Sequence, residues 1–470
     1  MIGTIARKEF VMLRRDARVR LTAVVLVVMV AVAFLSATSR YKDISQERAA
    51  AQALITEQWQ SQGEKNPHAA AHYGIYAIRP VTPLSFFDTG VTAFSGVSIW
   101  LEAHRRNLPG GRPADDNAAV SGVAELTIAY TLQILLPLFV ILLAFPAFAA
   151  ERESGTLRQL LGTGVTPAQL LVGKALGIAG AVGIVLGPLL LTGLAFLVLL
   201  PEGRMLLPEA LAVVAFYLLY AGVILFLSLA VSARLASSQA ALVVLLAFWA
   251  VSSFVVPRLA ADMAALRHPL PQLIDFQAAL AADIESGLDG RSPAEVIDER
   301  RQQTLSLYGV EDESQLPINF QGIIFSLTEQ LDAAVFKRHF EALYEKLHSQ
   351  QAVYGITSLF SPRVAVQLAS MQWSGTGLEQ EIDFARHAEQ FRVEFIETLN
   401  RDLTINSQPG QTDYRSGPEL WRAIGNYDYA GLGFAAKFFA SAPFLLALVL
   451  WLGGTTTLAW LAVRRIRVAV

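Results

Sequence analysis

Long apolar runs dominate the pattern of hydrophobic and polar positions along this chain. Six runs contain no charged residue and approach or exceed the roughly 20 apolar residues that a helix needs to cross a bilayer. Inside lipid the backbone must satisfy its own hydrogen bonds, so each run is expected to be helical. The predicted spans are residues 21–38, 126–149, 175–200, 210–230, 239–256 and 438–463. The pattern therefore predicts an all-α polytopic membrane protein with six transmembrane helices.

Two long polar segments separate some of these runs, residues 39–122 and 258–437. The first begins with helical spacing over 44–62 and then becomes rich in proline and glycine. The second contains a capping box with proline at the first helical position, Ser292 to Glu295, and further stretches with apolar residues at helical spacing. Both segments are predicted to be mainly helical, and the two together could build one folded domain.

Composition supports a membrane protein and excludes several other classes. Hydrophobic residues make up 53% of the chain and charged residues 16%, whereas soluble domains carry about a quarter charged residues. The mean hydropathy is +0.43. The net charge of −3 indicates no nucleic acid partner, and the absence of cysteine excludes disulfides, iron–sulfur clusters and thiolate metal sites.

Basic residues near the spans predict the orientation, because cytoplasmic loops are enriched in lysine and arginine. They form four groups: Arg7, Lys8, Arg14, Arg15, Arg18 and Arg20; Arg152, Arg158 and Lys174; Arg234; and Arg464, Arg465 and Arg467. Six crossings place all four groups on one side. Residues 1–20, 150–174 and the tail 464–470 are therefore predicted to be cytoplasmic, with 39–122 and 258–437 outside. The first run is longer than the 7–15 apolar residues of a signal-peptide core, which argues against cleavage there.

The loop between the second and third spans carries the most informative motif. Its run contains Glu151, Glu153, Gly155, Thr156, Leu157, Leu160 and Leu161. Gly155 permits a tight turn, and Thr156 is suited to cap a new helix. The three leucines then form an apolar stripe, and Arg158 and Gln159 lie on the solvent-exposed face of the same predicted helix. A second capping box, Thr166 to Gln169, starts the following helix. On residue chemistry alone, an amphipathic connector resting on the membrane remains the alternative.

This run, Glu-x-Glu-x-Gly-Thr-Leu-x-x-Leu-Leu followed by Gly173-Lys174, resembles the coupling-helix loop of type-2 ABC transporter permeases. The amphipathic stretch 1–20 resembles the interfacial helix of the same family. The long polar segments resemble a subgroup with a large extracytoplasmic insertion, in which the motifs Asn66 to Gly74 and Leu101 to His104 recur.

The resemblance implies a permease subunit in the bacterial cytoplasmic (inner) membrane, with export more typical than import. It implies a cytoplasmic ABC ATPase dimer docked on the loop, and a second permease, identical or related, completing the pathway within the lipid bilayer. Docking would rest on the leucine stripe, with Glu151 and Glu153 oriented by charge and Gly155 by backbone shape.

The chain lacks a recognisable ATP site of its own. Val172-Gly173-Lys174-Ala175 lacks the upstream glycine and the Ser or Thr of a phosphate loop. The chain is thus not predicted to be an enzyme, and ATP and Mg²⁺ would bind to the partner ATPase. The spans also lack the ionisable groups that ion-coupled carriers use at mid-membrane. Two alternatives remain: a non-transporting ABC complex that drives its outer domain mechanically, and a membrane scaffold without an ATPase.

All seven histidines fall in the polar segments: His68, His72, His104, His268, His339, His348 and His387. If residues 68–72 are helical, His68 and His72 lie on one face, as a metal site requires. His104 and Glu102 would then be candidates to complete the ligand set. Because histidine avoids lipid in any case, a structural role is the favoured interpretation and metal binding by these histidines is the alternative.

Small residues in the third span form two further patterns, Gly173-x-x-x-Gly177 and Gly183-x-x-x-Gly187. Glycine at this spacing lets helices approach closely. Packing within the subunit is the favoured interpretation, and a subunit interface is the alternative.

Overall fold

The computed structural model describes residues 1–112 and 126–466. Within these ranges six helices are long and apolar enough to cross a membrane: Ala17–Gln60, Ile128–Glu153, Pro167–Leu199, Gly203–Arg234, Ser238–Arg267 and Phe434–Arg464. The predicted all-α class with six spans is confirmed. Pro113 to Gly122 of the first polar segment and Arg467 of the tail lie outside the described residues.

The elements follow one another in this order. Residues 1–112 form α1 (Ile2–Arg15), α2 (Ala17–Gln60), α3 (Pro67–Tyr73), β1 (Ile75–Ile78), β2 (Ser98–Glu102) and β3 (Arg105–Arg106). Residues 126–267 form α4 (Ile128–Ala144), α5 (Ala149–Glu153), α6 (Thr156–Gly162), α7 (Pro167–Leu199), α8 (Leu207–Arg234), α9 (Ser238–Ala250), a π turn (Val251–Val255) and α10 (Val256–Arg267). The remainder forms α11 (Leu273–Ser286), α12 (Pro293–Tyr308), α13 (Phe320–Ile356), α14 (Pro362–Ser374), α15 (Leu378–Asn406), α16 (Pro418–Ile424) and α17 (Phe434–Arg464).

The first span and the polar helix after it form one continuous helix. α2 has 44 residues, roughly 66 Å at 1.5 Å per residue, so it extends well beyond a bilayer core. No glycine or proline interrupts residues 17–60, and nothing breaks the helix where the apolar run ends. The Asp16 side chain accepts a hydrogen bond from the backbone N–H of Arg18 and caps its start.

The fifth span continues past the point at which the sequence predicts its end. Pro257 and Arg258 were expected to terminate it, yet the helix runs on to Arg267. A π turn precedes Pro257. Wider i→i+5 pairing in such a turn accommodates the proline, which has no N–H to donate.

Both polar segments contribute to a polar domain, residues 44–112 and 268–433. Its core is separate from the membrane core and contains Trp59 from α2, Phe336 from α13 and Phe395 from α15. The Trp59 indole N–H donates to the Trp421 carbonyl oxygen at 3.0 Å. The domain also contains a small antiparallel sheet that the sequence pattern did not predict. In it β2 lies between β1 and β3, and Ile75 pairs with Leu101.

One helix of the second polar segment packs among the spans. α14 is buried along most of its length and contacts α4, α8 and α17. The Arg363 guanidinium donates to the Ser253 carbonyl oxygen at 2.6 Å. The Ser370 hydroxyl donates to the Asp88 carboxylate at 2.5 Å. The polar domain is therefore joined to the membrane bundle by an inserted helix as well as by α2.

Candidate functional site

The loop between α5 and α7 turns sharply at Gly155. This glycine has φ +73° and precedes the first residue of α6, a left-handed conformation that L-residues with a side chain adopt only at a cost. Thr156 was predicted to be the helix cap, but Gly155 occupies that position. The Thr156 hydroxyl instead donates to the Glu151 carbonyl oxygen at 3.3 Å and closes the end of α5. The capping box predicted at Thr166 is present at the start of α7.

The leucine stripe of α6 faces the protein's own membrane core. Leu157 is only 4% exposed, and Leu160 and Leu161 are half-buried against the same core. These side chains hold α6 in place. The exposed surface of the loop is polar and consists of Glu153, Ser154, Gly155, Thr156, Arg158 and Gln159.

Glu151 belongs to a buried ion-pair network rather than to that exposed surface. One of its carboxylate oxygens lies 2.8 Å from the Lys8 ammonium and 3.0 Å from the Lys174 ammonium. Lys174 is 1% exposed and also donates to Glu9 at 3.1 Å. The network joins the loop to α1 through Lys8 and Glu9 and to α7 through Lys174. Each buried lysine or glutamate is paired, as burial of charge requires.

Two of the small residues noted in the third span pack against α1. A Cβ added at Gly173 would lie 2.7 Å from the Ile5 side chain. One added at Gly177 would lie 2.7 Å from the Ala6 carbonyl oxygen. At Gly183 an added Cβ would meet nothing within 4 Å. The first glycine pair therefore serves packing within the subunit, and it lets the amphipathic α1 lie directly on α7.

Arg152 and Glu153 clamp the turn between α8 and α9. The Arg152 guanidinium donates to the Ala233 carbonyl oxygen at 2.6 Å and also to the Leu235 carbonyl oxygen, so it satisfies the carboxyl end of α8. Glu153 accepts hydrogen bonds from the backbone N–H and the hydroxyl of Ser238 at 2.9 and 2.6 Å, at the amino end of α9. The positive Arg152 thus lies at the carboxyl end of α8 and the negative Glu153 at the amino end of α9, where the helix dipole favours each charge.

A third contact completes the clamp. The Ser232 hydroxyl oxygen accepts hydrogen bonds from the backbone N–H groups of Phe148 and Ala149, at 3.0 and 3.1 Å. In the sequence, Arg152 indicates only the predicted topology, and Ser232 and Ser238 belong to no recognised motif. The partners lie about 80 residues away in the chain, and no local motif indicates such a pairing.

The structure also brings the candidate metal ligands together. One ring nitrogen from each of His68, His72 and His104 lies within 4.8 Å of the other two. Glu102 is not part of this cluster, and its carboxylate accepts a hydrogen bond from the Asn107 amide at 3.1 Å. Among the remaining histidines, His339 contacts Asp283 at 2.8 Å and His348 contacts Glu379 at 3.0 Å.

Comparison with protein families matches residues 3–361 to the ABC-2 family transporter protein. The match covers well over half of the chain and includes the loop, α1 and the first five spans. Comparison with curated proteins gives no match. The family agrees with the six apolar helices and with the loop between α5 and α7. This chain therefore belongs to the ABC-2 transporter family and is the membrane-embedded permease subunit of an ABC transporter.

Proposed function

We propose that this permease exports its substrate with a separate cytoplasmic ATPase dimer, which docks on the exposed polar surface of the loop between α5 and α7. The observation that carries this proposal is the clamp made by Arg152 and Glu153 on the turn between α8 and α9. A surface loop without a mechanical role would not need to be fixed to two other spans. The enrichment of lysine and arginine at this end of the bundle supports a cytoplasmic location.

The connections of the loop indicate how force would be transmitted. Glu151 ties it to α1 and α7, and Arg152 and Glu153 tie it to α8 and α9. α5 follows α4 directly in the chain. A displacement imposed on α6 by a closing ATPase would therefore reach four of the six spans without passing through a flexible linker.

ATP and Mg²⁺ are assigned to the partner ATPase. Lys174, the lysine of the incomplete phosphate-loop pattern, lies within α7 and is engaged by Glu9 and Glu151. A phosphate-binding lysine must instead project from a glycine-rich loop toward the nucleotide. We further propose that a second permease, identical or related, completes the pathway. The spans α7 and α9 keep large exposed apolar faces, which suit lipid or such a subunit.

The first test is an affinity purification from native membranes in mild detergent, with partners identified by mass spectrometry. Wild type is expected to recover an ABC ATPase, and Glu153→Lys is expected to recover less of it at equal permease yield. Glu345→Lys, a charge reversal on an exposed glutamate of the polar domain, is the matched control. Recovery of no ATPase with well-folded wild type would contradict the proposal and favour a membrane scaffold.

A second function is favoured by the way the polar domain is attached. α2 passes without a break from the membrane into that domain, and α14 packs among α4, α8 and α17. ATP-driven movement of the spans would thus move the polar domain, as a non-transporting ABC complex requires. Inverted vesicles with the ATPase distinguish the two functions. ATP-dependent accumulation of solute, detected by untargeted mass spectrometry of the vesicle contents, supports transport and contradicts a purely mechanical role.

A further inference from the structure

We propose that His68, His72 and His104 bind one Zn²⁺ ion in the polar domain. The Nε2 atoms of His68 and His72 are 3.2 Å apart. Two ligands at the usual Zn–N distance of about 2.0–2.1 Å in a tetrahedral site lie about 3.3 Å apart, which matches. The ring centroid of His104 lies 5.5 Å from each of the other two. One ring nitrogen from each of the three histidines lies within 4.8 Å of the other two, so the three imidazoles form one cluster.

Local hydrogen bonds fix the backbone that carries these histidines. Asn66 caps α3 by accepting hydrogen bonds from the backbone N–H groups of His68 and Ala69, at 2.9 and 3.3 Å. Helical i, i+4 spacing then puts His68 and His72 on one face. His104 sits in the turn between β2 and β3 with φ +59°, which is uncommon for a residue with a side chain. Its backbone N–H donates to Glu329 at 3.0 Å and holds the turn.

Neighbouring side chains orient the rings as a metal site requires. His104 Nδ1 lies 3.3 Å from the Asp332 carboxylate, and His68 Nδ1 lies 3.4 Å from the Asn400 side-chain oxygen. Both partners are acceptors, so in the neutral form that binds a metal each Nδ1 donates to its partner and each Nε2 keeps its lone pair. A carboxylate or amide oxygen behind a metal-bound histidine is the common arrangement for fixing ring and tautomer.

Packing around the cluster fixes its geometry. Phe325 stacks on His68 with ring centroids 3.5 Å apart. Asp332 is buried, and it places a carboxylate directly behind His104.

The donor set selects the ion. Imidazole ligands suit zinc and neighbouring transition metals, whereas Mg²⁺ and Ca²⁺ prefer oxygen. His72 is exposed, so the fourth position of a tetrahedral site faces solvent and takes water. The three ligands come from the first polar segment, and Phe325, Asp332 and Asn400 come from the second. Bound zinc would therefore stabilise the contact between the two segments.

The test uses the full-length permease purified in detergent and stripped of metal with a chelator. Zn²⁺ is titrated in competition with a chromogenic chelator, and metal content is measured by mass spectrometry. Wild type is expected to bind one Zn²⁺ per chain, and Mg²⁺ is expected not to compete. His72→Ala removes an exposed ligand and should weaken binding by more than tenfold. Asp332→Asn alters only the group behind His104 and should weaken it by about 10–100-fold.

Further measurements separate a metal site from a merely structural histidine cluster. His268→Ala, in a loop outside the cluster, should leave Zn²⁺ affinity unchanged. Zn²⁺ should raise the unfolding temperature of wild type but not of His72→Ala, and Co²⁺ should give the visible absorption of a tetrahedral site. Equal Zn²⁺ affinity in wild type and His72→Ala would overturn the proposal. No step depends on the ATPase, so the outcome is independent of the proposed coupling.

Discussion

Glu153 accepts two hydrogen bonds from Ser238, one from its backbone N–H at 2.9 Å and one from its hydroxyl at 2.6 Å. The neighbouring Arg152 binds carbonyl oxygens at the end of α8, on the other side of the same turn. Two adjacent residues of opposite charge thus hold both ends of a turn that is remote in the chain. The loop between α5 and α7 and the turn between α8 and α9 consequently form one mechanical unit.

Arg152→Met is expected to loosen this unit. The substitution leaves the carbonyl oxygens of Ala233 and Leu235 without their charged donor, and we expect a loss of about 1 kcal/mol because the site is partly exposed. Thermal unfolding of the purified permease in detergent measures the change. Arg158→Met, on the exposed face of α6, should leave stability unchanged. Equal stability of the two variants would show that the Arg152 clamp is not formed.

Arg158→Glu separates docking from folding. This arginine lies on the face of α6 that we assign to the ATPase, so charge reversal should weaken ATPase binding and lower permease-stimulated ATP hydrolysis severalfold. Stability of the isolated permease should not change. Arg300→Glu, on an exposed site of the polar domain, is the control. Unaltered ATPase binding by Arg158→Glu would place the docking surface elsewhere.

Gly155→Ala tests the backbone shape of the loop. The added methyl group would meet nothing within 4 Å, but φ +73° penalises any residue with a Cβ. The expected cost is about 1–2 kcal/mol, so the turn should relax and coupling should fall. Gly162→Ala adds the same methyl group at the end of α6, also in open space and without a positive φ. It should be neutral or slightly stabilising. The measurements are permease-stimulated ATP hydrolysis and the unfolding temperature of each of the two variants.

Periodicity and composition were sufficient to predict the class of the fold. Apolar runs specify spans because lipid allows few backbone alternatives. The capping boxes at Thr166 and Ser292 specify helix starts, and both are present. The continuity of α2 through residue 60 was less apparent, because a change from apolar to polar composition looks like a boundary even though the helix has no reason to stop there.

The site was less predictable than the fold. The motif identifies the loop, but it does not show whether Leu157 faces a partner or the protein's own core, and in the structure it faces the core. Thr156 resembles a helix cap, but the left-handed Gly155 takes that position. α14 is only 13 residues long, too short to be recognised as an element packed among spans. Contacts between distant segments decide each of these features, and a single sequence does not encode them locally.

Lys174→Met tests the buried network beneath the loop. Removing the 1% exposed ammonium leaves Glu9 and Glu151 with less compensating charge. Breaking one partner of a buried pair costs about 3–5 kcal/mol, so the permease should unfold at a markedly lower temperature. Lys8→Met removes a lysine whose side chain is 43% exposed and should cost no more than about 1 kcal/mol. Similar losses in the two variants would indicate that Lys174 is accessible to water in the folded protein.

Gly177→Val tests whether α1 transmits motion from the loop to α7. The new side chain would strike the Ala6 carbonyl oxygen and the Glu9 side chain, each 2.7 Å from the added Cβ. Overpacking of this kind costs about 1–3 kcal/mol and should push α1 away from α7. Increased protease cleavage within residues 2–15 and reduced coupling of ATP hydrolysis are the expected results. Gly183→Val makes the same change six residues further along α7, where nothing lies within 4 Å of an added Cβ. If protease cleaves α1 at the same rate in both valine variants, the docking of α1 on α7 does not depend on its close approach to Gly177.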